Sequence, residues 1–184
     1  MRAQAAAARR PVRVFCQDES RLGLMPIRRR RLTLRGIKPV GPVQYRFESY
    51  SLYGAVEPTT GASFFLELPR LEAAGFQLFV DHFAAQHAES LNLVVLDNGA
   101  AHTAKRLHLP HNLIFVPLPP YSPELNPIER LWRDLKDHLA FSLYKGLPAL
   151  KSRVTRLLRR YTPASLQSLT GYPYFVQEVN GLVQ

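Results

Sequence analysis

The sequence predicts an α/β fold, a mixed sheet flanked by helices, on three observations. Leu91-Asn92-Leu93-Val94-Val95-Leu96 is a near-continuous apolar run, the signature of a central strand covered on both faces. Two strand-like segments joined by Pro58-Thr59-Thr60-Gly61 read as an antiparallel hairpin. Apolar residues spaced three or four apart mark helices between and after the strands.

Each element follows in order. Val12-Arg13-Val14-Phe15-Cys16-Gln17 is a strand ending in Asp18-Glu19-Ser20, with Asp18 on the face of Val12, Val14 and Cys16. An acid continuing a buried face is costly unless paired or metal-bound; a turn-forming aspartate suits the position equally. Arg28, Arg29, Arg30, Arg31, Arg35 and Lys38 then crowd a loop broken by Gly36, Pro39, Gly41 and Pro42, with a short strand expected near Leu32 to Leu34. Such a run suits a phosphate backbone or a solvated surface. Gln44 to Val56 is a long strand, and Ser63 to Leu68 returns as its hairpin partner. Leu71 to Ala88 is a helix in which His82 and His87 are ordinary residues, since five positions separate them on the helix.

The Leu91 to Leu96 strand ends abruptly in Asp97-Asn98-Gly99-Ala100-Ala101-His102. Open α/β sheets place their sites at the carboxyl ends of such strands, although an aspartate before Asn-Gly also suits a plain loop. His102 is expected to open a short helix, where it would orient a carboxylate, touch substrate or serve structure alone. Asn112 to Val116 is a further short strand.

Leu118 to Trp132 reads as a stiff loop delivering a helix. Pro119, Pro120 and Pro123 lock φ and keep the approach extended. Asn126 suits the N-cap, and Pro127 the first helical position, where its missing N–H costs nothing. Ile128, Leu131, Trp132, Leu135 and Leu139 form one apolar face, which puts Trp132 in the core. Glu129 lies in the first turn, where it could also close a capping box with Asn126. A basic amphipathic helix is expected from Pro148 to Tyr161, with Lys151, Arg153, Arg156, Arg159 and Arg160 around its polar side. Residues from Pro163 onward read as a short, weakly defined helix and tail.

Composition narrows the function. The 184 residues suit one domain, 1–184, with a core at about 12–140, and 46% hydrophobic residues suffice for a buried core. No apolar run approaches the ~20 residues of a membrane helix, and the Ala/Arg-rich start lacks a signal peptide's apolar stretch. Cys16 is the only cysteine, which excludes an internal disulfide and fits a reducing cytoplasm. A formal charge of +10 suggests a polyanionic partner, most often nucleic acid.

Parallel neighbouring strands would set Asp18 beside Asp97, and the proline loop could swing Glu129 in to join them. Three carboxylates at one spot repel unless a divalent cation balances them. An oxygen-only set favours Mg²⁺ or Mn²⁺ over zinc. Such a set can hold two ions, one activating an attacking hydroxyl and one stabilising a leaving oxygen. That is phosphodiester chemistry.

The blocks Phe15-Cys16-Gln17-Asp18-Glu19-Ser20, Leu96-Asp97-Asn98-Gly99-Ala100-Ala101-His102 and Pro119-Pro120-Tyr121-Ser122-Pro123-Glu124-Leu125-Asn126-Pro127-Ile128-Glu129-Arg130-Leu131-Trp132 resemble the three catalytic blocks of DDE transposases, and most of all the bacterial insertion-sequence branch of the Tc/mariner superfamily. The resemblance implies a ribonuclease H-like fold, a five-stranded mixed sheet flanked by helices. It implies Asp18, Asp97 and Glu129 as a metal-binding triad, with Asn98, His102 and Asn126 supporting the acids or positioning substrate. It further implies Mg²⁺-dependent cleavage at transposon ends, then attack of the freed 3′-hydroxyl on target DNA at a TA dinucleotide. Arg133 and Lys136, on the polar side of the Glu129 helix, join Arg28, Arg29, Arg30, Arg31, Arg35 and Lys38 as expected DNA contacts. A homodimer on DNA, in the bacterial cytoplasm with the nucleoid, is the expected setting, and no membrane.

Two features depart from the family pattern. Between Asp97 and Glu129 lie 31 residues, slightly fewer than in Tc/mariner relatives, which implies a trimmed loop. The family's N-terminal helix-turn-helix region is expected to be absent, because strand-like sequence begins within about a dozen residues of Met1. An upstream reading-frame product carrying that region would then be a partner. A non-catalytic DNA-binding remnant and a standalone ribonuclease H-like nuclease are the alternative readings.

Overall fold

The computed structural model describes residues 10–30, 32–97, 99, 107–120 and 122–183. Arg31, Asn98 and His102 lie outside the described residues.

The strands are β1 (Val12–Gly23), β2 (Ser49–Val56), β3 (Ser63–Leu68), β4 (Leu91–Leu96) and β5 (Leu113–Pro117). They form one sheet in the order β3-β2-β1-β4-β5. β1 runs antiparallel to β2, and β2 to β3, whereas β4 is parallel to both β1 and β5. This is the expected mixed five-stranded sheet. Among the described residues the helices are α1 (Ala73–Gln86), α2 (Ile128–Leu139), α3 (Leu147–Leu158), α4 (Pro163–Thr170) and α5 (Pro173–Val183).

The two-residue period of the strands divides the core. Phe15, Tyr53, Ala55, Val94 and Leu96 face α1, which supplies Phe76, Phe79, Val80 and Phe83 at helical spacing. Val14, Cys16, Leu22, Leu52, Leu93 and Val95 face the opposite side, against the apolar stripe of α2 and residues of α3, α4 and α5. All five expected apolar residues of α2 are buried, Trp132 among them. β4 is buried at every position, as its sequence requires.

Several boundaries differ from the expectation. β1 does not end before Asp18; it runs to Gly23, because pairing with β2 continues from Cys16↔Val56 through Asp18↔Gly54 to Gly23↔Ser49. Asp18 therefore stands inside a strand and not in a turn. β2 begins only at Ser49, since Gly23 is the last residue of β1 to pair with it. Residues 32–34 form no strand and are exposed. Helix α2 starts at Ile128, with Pro127 in the cap position instead of Asn126, a one-residue shift within the usual ambiguity of helix ends. The chain after Pro163 is two helices and not a loose tail. α4 is capped by Thr162, whose side chain accepts from the Ser165 N–H at 3.2 Å, and it buries Leu166.

His87 caps the end of α1 and packs on Phe15 and Phe83. It meets Arg13, which pairs with Glu57 at 2.6 Å. Burial holds the His87 pKa below its usual value. The cluster joins β1, β2 and α1 and takes no part in the site described next.

Candidate active site

Three separate elements carry the three acids. Cys16↔Val95 is the last parallel pair between β1 and β4; two residues further on come Asp18 and Asp97. The parallel register thus brings these acids to the same level of the sheet. Beyond β5, the Leu118 N–H donates to the Leu96 carbonyl at 2.8 Å, which keeps the proline segment beside β4. A 3₁₀ turn at Pro123–Leu125 then feeds α2.

Asn126 fixes the junction. Buried beneath the turn, it donates through Nδ2 to the Gln17 carbonyl at 2.9 Å and accepts through Oδ1 from the Ile128 N–H at 3.4 Å. Its own N–H donates to the Pro123 carbonyl, so the donor that a capping box with Glu129 requires is already engaged. Glu129 instead lines a cleft of about 470 Å³ together with Asp18, Asp97, Asn126 and the Pro119–Pro120 wall. The structure thus brings Asp18, Asp97 and Glu129 to one cavity, with Asn126 beside them.

The electrostatics of the cleft are unfavourable as they stand. Asp18 is raised to about 7, first by burial and then by the charges of Glu129 and Glu19, with a smaller push from Asp97; the Glu19 N–H opposes the shift. Asp97 accepts from the Gly99 N–H at 2.8 Å, so it also shapes its own loop. Among the described residues, no three acidic, histidine or cysteine side chains are gathered closely enough to hold one ion as placed. The carboxylates line a common space without closing into a cage. The donor set nonetheless fits a hard divalent cation: oxygens only, and a half-buried carboxylate raised first by burial and then by like charge, the second of which a cation relieves.

A larger open groove, about 1070 Å³, adjoins the cleft and shares Glu129 with it. Arg29, Arg30, Arg133 and Lys136 line this groove. Arg29 is also paired there with Asp137. Arg28 is exposed, and Arg35 and Lys38 sit on the exposed 32–43 segment; none of the three lines the groove. The run of cations is therefore split by the fold, and only part of it faces the acids. Lys151 of α3 lies over the Tyr50 ring and within 3.6 Å of Glu67, a role against the sheet.

Sequence reasoning missed one contact. Trp132 Nε1 donates to Asp18 Oδ2 at 2.9 Å. The available signal was the spacing: residues three apart on a helix share a side, so Trp132 lies next to Glu129.

The family model for the DDE superfamily endonucleases matches residues 13–151, which contain all three acids. The chain belongs to the DDE superfamily endonucleases. The resemblance read from the three sequence blocks is borne out at that level. An uncharacterized protein of Sinorhizobium fredii, y4pE/y4sA, is 32% identical over 88 residues, covering 47% of this chain and 65% of that one. The fold of this DDE chain is similar to that of the Mos1 Strand Transfer Complex, with a TM-score of 0.67 and 16% identity over 92% of this chain and 54% of the Mos1 chain. The Mos1 mariner paired end complex with Mn gives a TM-score of 0.69 and 15% identity over 86% of this chain and 52% of that one. The chain thus spans about half the length of the Mos1 chains it matches. No helix among the described residues is long and apolar enough to cross a membrane.

Proposed function

We propose that this chain is the catalytic domain of a DNA transposase, with Asp18, Asp97 and Glu129 as the acids that hold divalent metal at the scissile phosphate. The carrying observation is the cleft: three carboxylates from three elements line it, and Glu129 also borders a groove with four cations. Membership of the DDE endonucleases and the likeness in fold to Mos1 complexes support the same reading. One sheet with helices on both faces supports treating the chain as a single catalytic domain.

In this reading, water adds across a phosphodiester at the transposon end and frees a 3′-hydroxyl. That hydroxyl then attacks a target phosphodiester, expected at TA, whose own 3′-oxygen leaves; one bond forms as one breaks. When bound, Mg²⁺, with Mn²⁺ as a substitute and two ions as the expected number, supplies activation of the attacking oxygen and stabilisation of the leaving one. The protein's part is to hold and orient. The three carboxylates provide hard oxygen ligands, Asn126 keeps the Glu129 helix against β1, and Arg30, Arg133 and Lys136 neutralise backbone phosphates along the groove.

A second copy on DNA is the proposed partner, in the bacterial cytoplasm with the nucleoid. The exposed 32–47 segment, carrying Leu32, Leu34, Val40, Tyr45 and Phe47, supports contact with another chain.

Labelled transposon-end duplexes, incubated in Mg²⁺ with this chain, provide the test. End-specific nicking that Asp97→Asn abolishes is the expected result. Equal cleavage by Asp97→Asn would refute the triad. Salt-dependent binding without cleavage would indicate a remnant, and cleavage indifferent to end sequence a standalone nuclease.

A further inference from the structure

We propose that Trp132 is a positioning residue whose indole N–H fixes the Asp18 carboxylate in its metal-binding orientation. The inference rests on the reading of Asp18 as a metal ligand. Trp132 is 1% exposed, yet its Nε1 reaches Asp18 Oδ2 at 2.9 Å across 114 residues of sequence. A buried indole N–H needs an acceptor, and a half-buried carboxylate oxygen needs a donor.

The ring has little freedom to move away. Gly54 pairs directly with Asp18 across β1 and β2. A Cβ at Gly54 would lie 2.6 Å from Trp132 Cη2, so the absent side chain is what lets the ring lie against the sheet there. Phe65, paired with Gly54 on β3, meets the ring edge-on at 6.3 Å. With the ring wedged, its N–H direction is set, and one oxygen of Asp18 is held. The same turn of α2 that carries Glu129 into the cleft therefore also orients Asp18. Groups that orient a ligand in this way typically change metal affinity or activity by about 10- to 100-fold when removed.

Trp132→Phe keeps an aromatic ring and deletes the N–H. Calorimetric titration should show Mn²⁺ affinity weaker by about 10-fold or more, with cleavage recovering as Mn²⁺ is raised; the smaller ring lowers the unfolding midpoint, and the titration is run well below it. Unchanged Mn²⁺ affinity together with an unchanged metal dependence of cleavage would reduce Trp132 to packing and leave the triad intact. Asp18→Asn separates the two failures: if it binds Mn²⁺ like the parent, the metal-site reading itself falls. Should Trp132→Phe not fold, the unaltered chain still decides. Trp132 is its only tryptophan, so its indole ¹⁵N–¹H signal is a single peak. That peak should shift saturably with Mg²⁺ and lose the response in Asp18→Asn. A peak unmoved by Mg²⁺ in the unaltered chain would overturn the proposal.

Discussion

The side-chain amide of Asn126 donates to the backbone carbonyl of Gln17 at 2.9 Å, tying the start of α2 to the residue before Asp18. Gln17 and Asn126 are both buried, so water cannot replace the bond if it is lost. Two acids are thereby held by a bond between residues 109 apart in sequence, one that touches neither carboxylate. Asn126→Ala should cost about 1–3 kcal/mol, the penalty of an unsatisfied buried acceptor. Urea denaturation reads the cost, and Mn²⁺ titration should show weaker binding as Glu129 loses its anchor.

Glu129 is the strongest like-charge neighbour of Asp18. Glu129→Gln removes that repulsion while preserving shape. Melting in a chelator should therefore show a variant at least as stable as the parent. Its cleavage in Mg²⁺ should fall by roughly 10²-fold or more, since several kcal/mol of metal-assisted stabilisation depends on the ligand set. A variant less stable than the parent in chelator would show that Glu129 has a structural partner in the fold.

The pH dependence follows from Asp18. Its carboxyl is raised from 3.8 in the unfolded chain to about 7 in the folded one. Between these values the folded state keeps a proton that the unfolded state has released, so stability falls as pH rises through the window. The stabilisation is complete below about pH 4 and gone above about pH 7, a difference of a few kcal/mol. Denaturation in chelator at pH 5 and pH 8 measures it, and Asp18→Asn should flatten the difference. Mg²⁺ should restore stability at pH 8 far more than at pH 5, because it competes with the proton.

Trp132 is the largest fully buried side chain. Trp132→Ala should cost about 3–5 kcal/mol. Gly54→Ala pushes a Cβ into the same ring and should cost about 1–3 kcal/mol by overpacking. Urea unfolding of both variants checks the pair, and a neutral Gly54→Ala would show that the ring can shift.

The groove predicts which cations matter for DNA. Arg133→Ala and Lys136→Ala should each lower the slope of log K against log salt by about one. Arg35→Ala and Lys38→Ala, away from the groove, should leave it nearly unchanged. Fluorescence anisotropy on one duplex at several salt concentrations separates the two pairs.

The sequence by itself determined on which side of its own element several key residues lie. Period two put Asp18 on the Cys16 side of its strand, the unbroken apolar run made β4 a covered strand ending at Asp97, and the 3.6-residue stripe buried Trp132 and set Glu129 beside it. These are local properties, carried by neighbours within a few positions. Only the tertiary structure decided that β1 continues through Asp18 to Gly23, since that depends on β2 as an antiparallel partner. It also divided the arginine run, turning Arg29 and Arg30 to the groove and leaving Arg35 and Lys38 outside it. The bond from Trp132 to Asp18 and the anchoring of Asn126 on Gln17 belong to the same class. Each joins segments more than a hundred residues apart, and no local period encodes such a pairing; it exists only once the sheet has closed and α2 has packed across it.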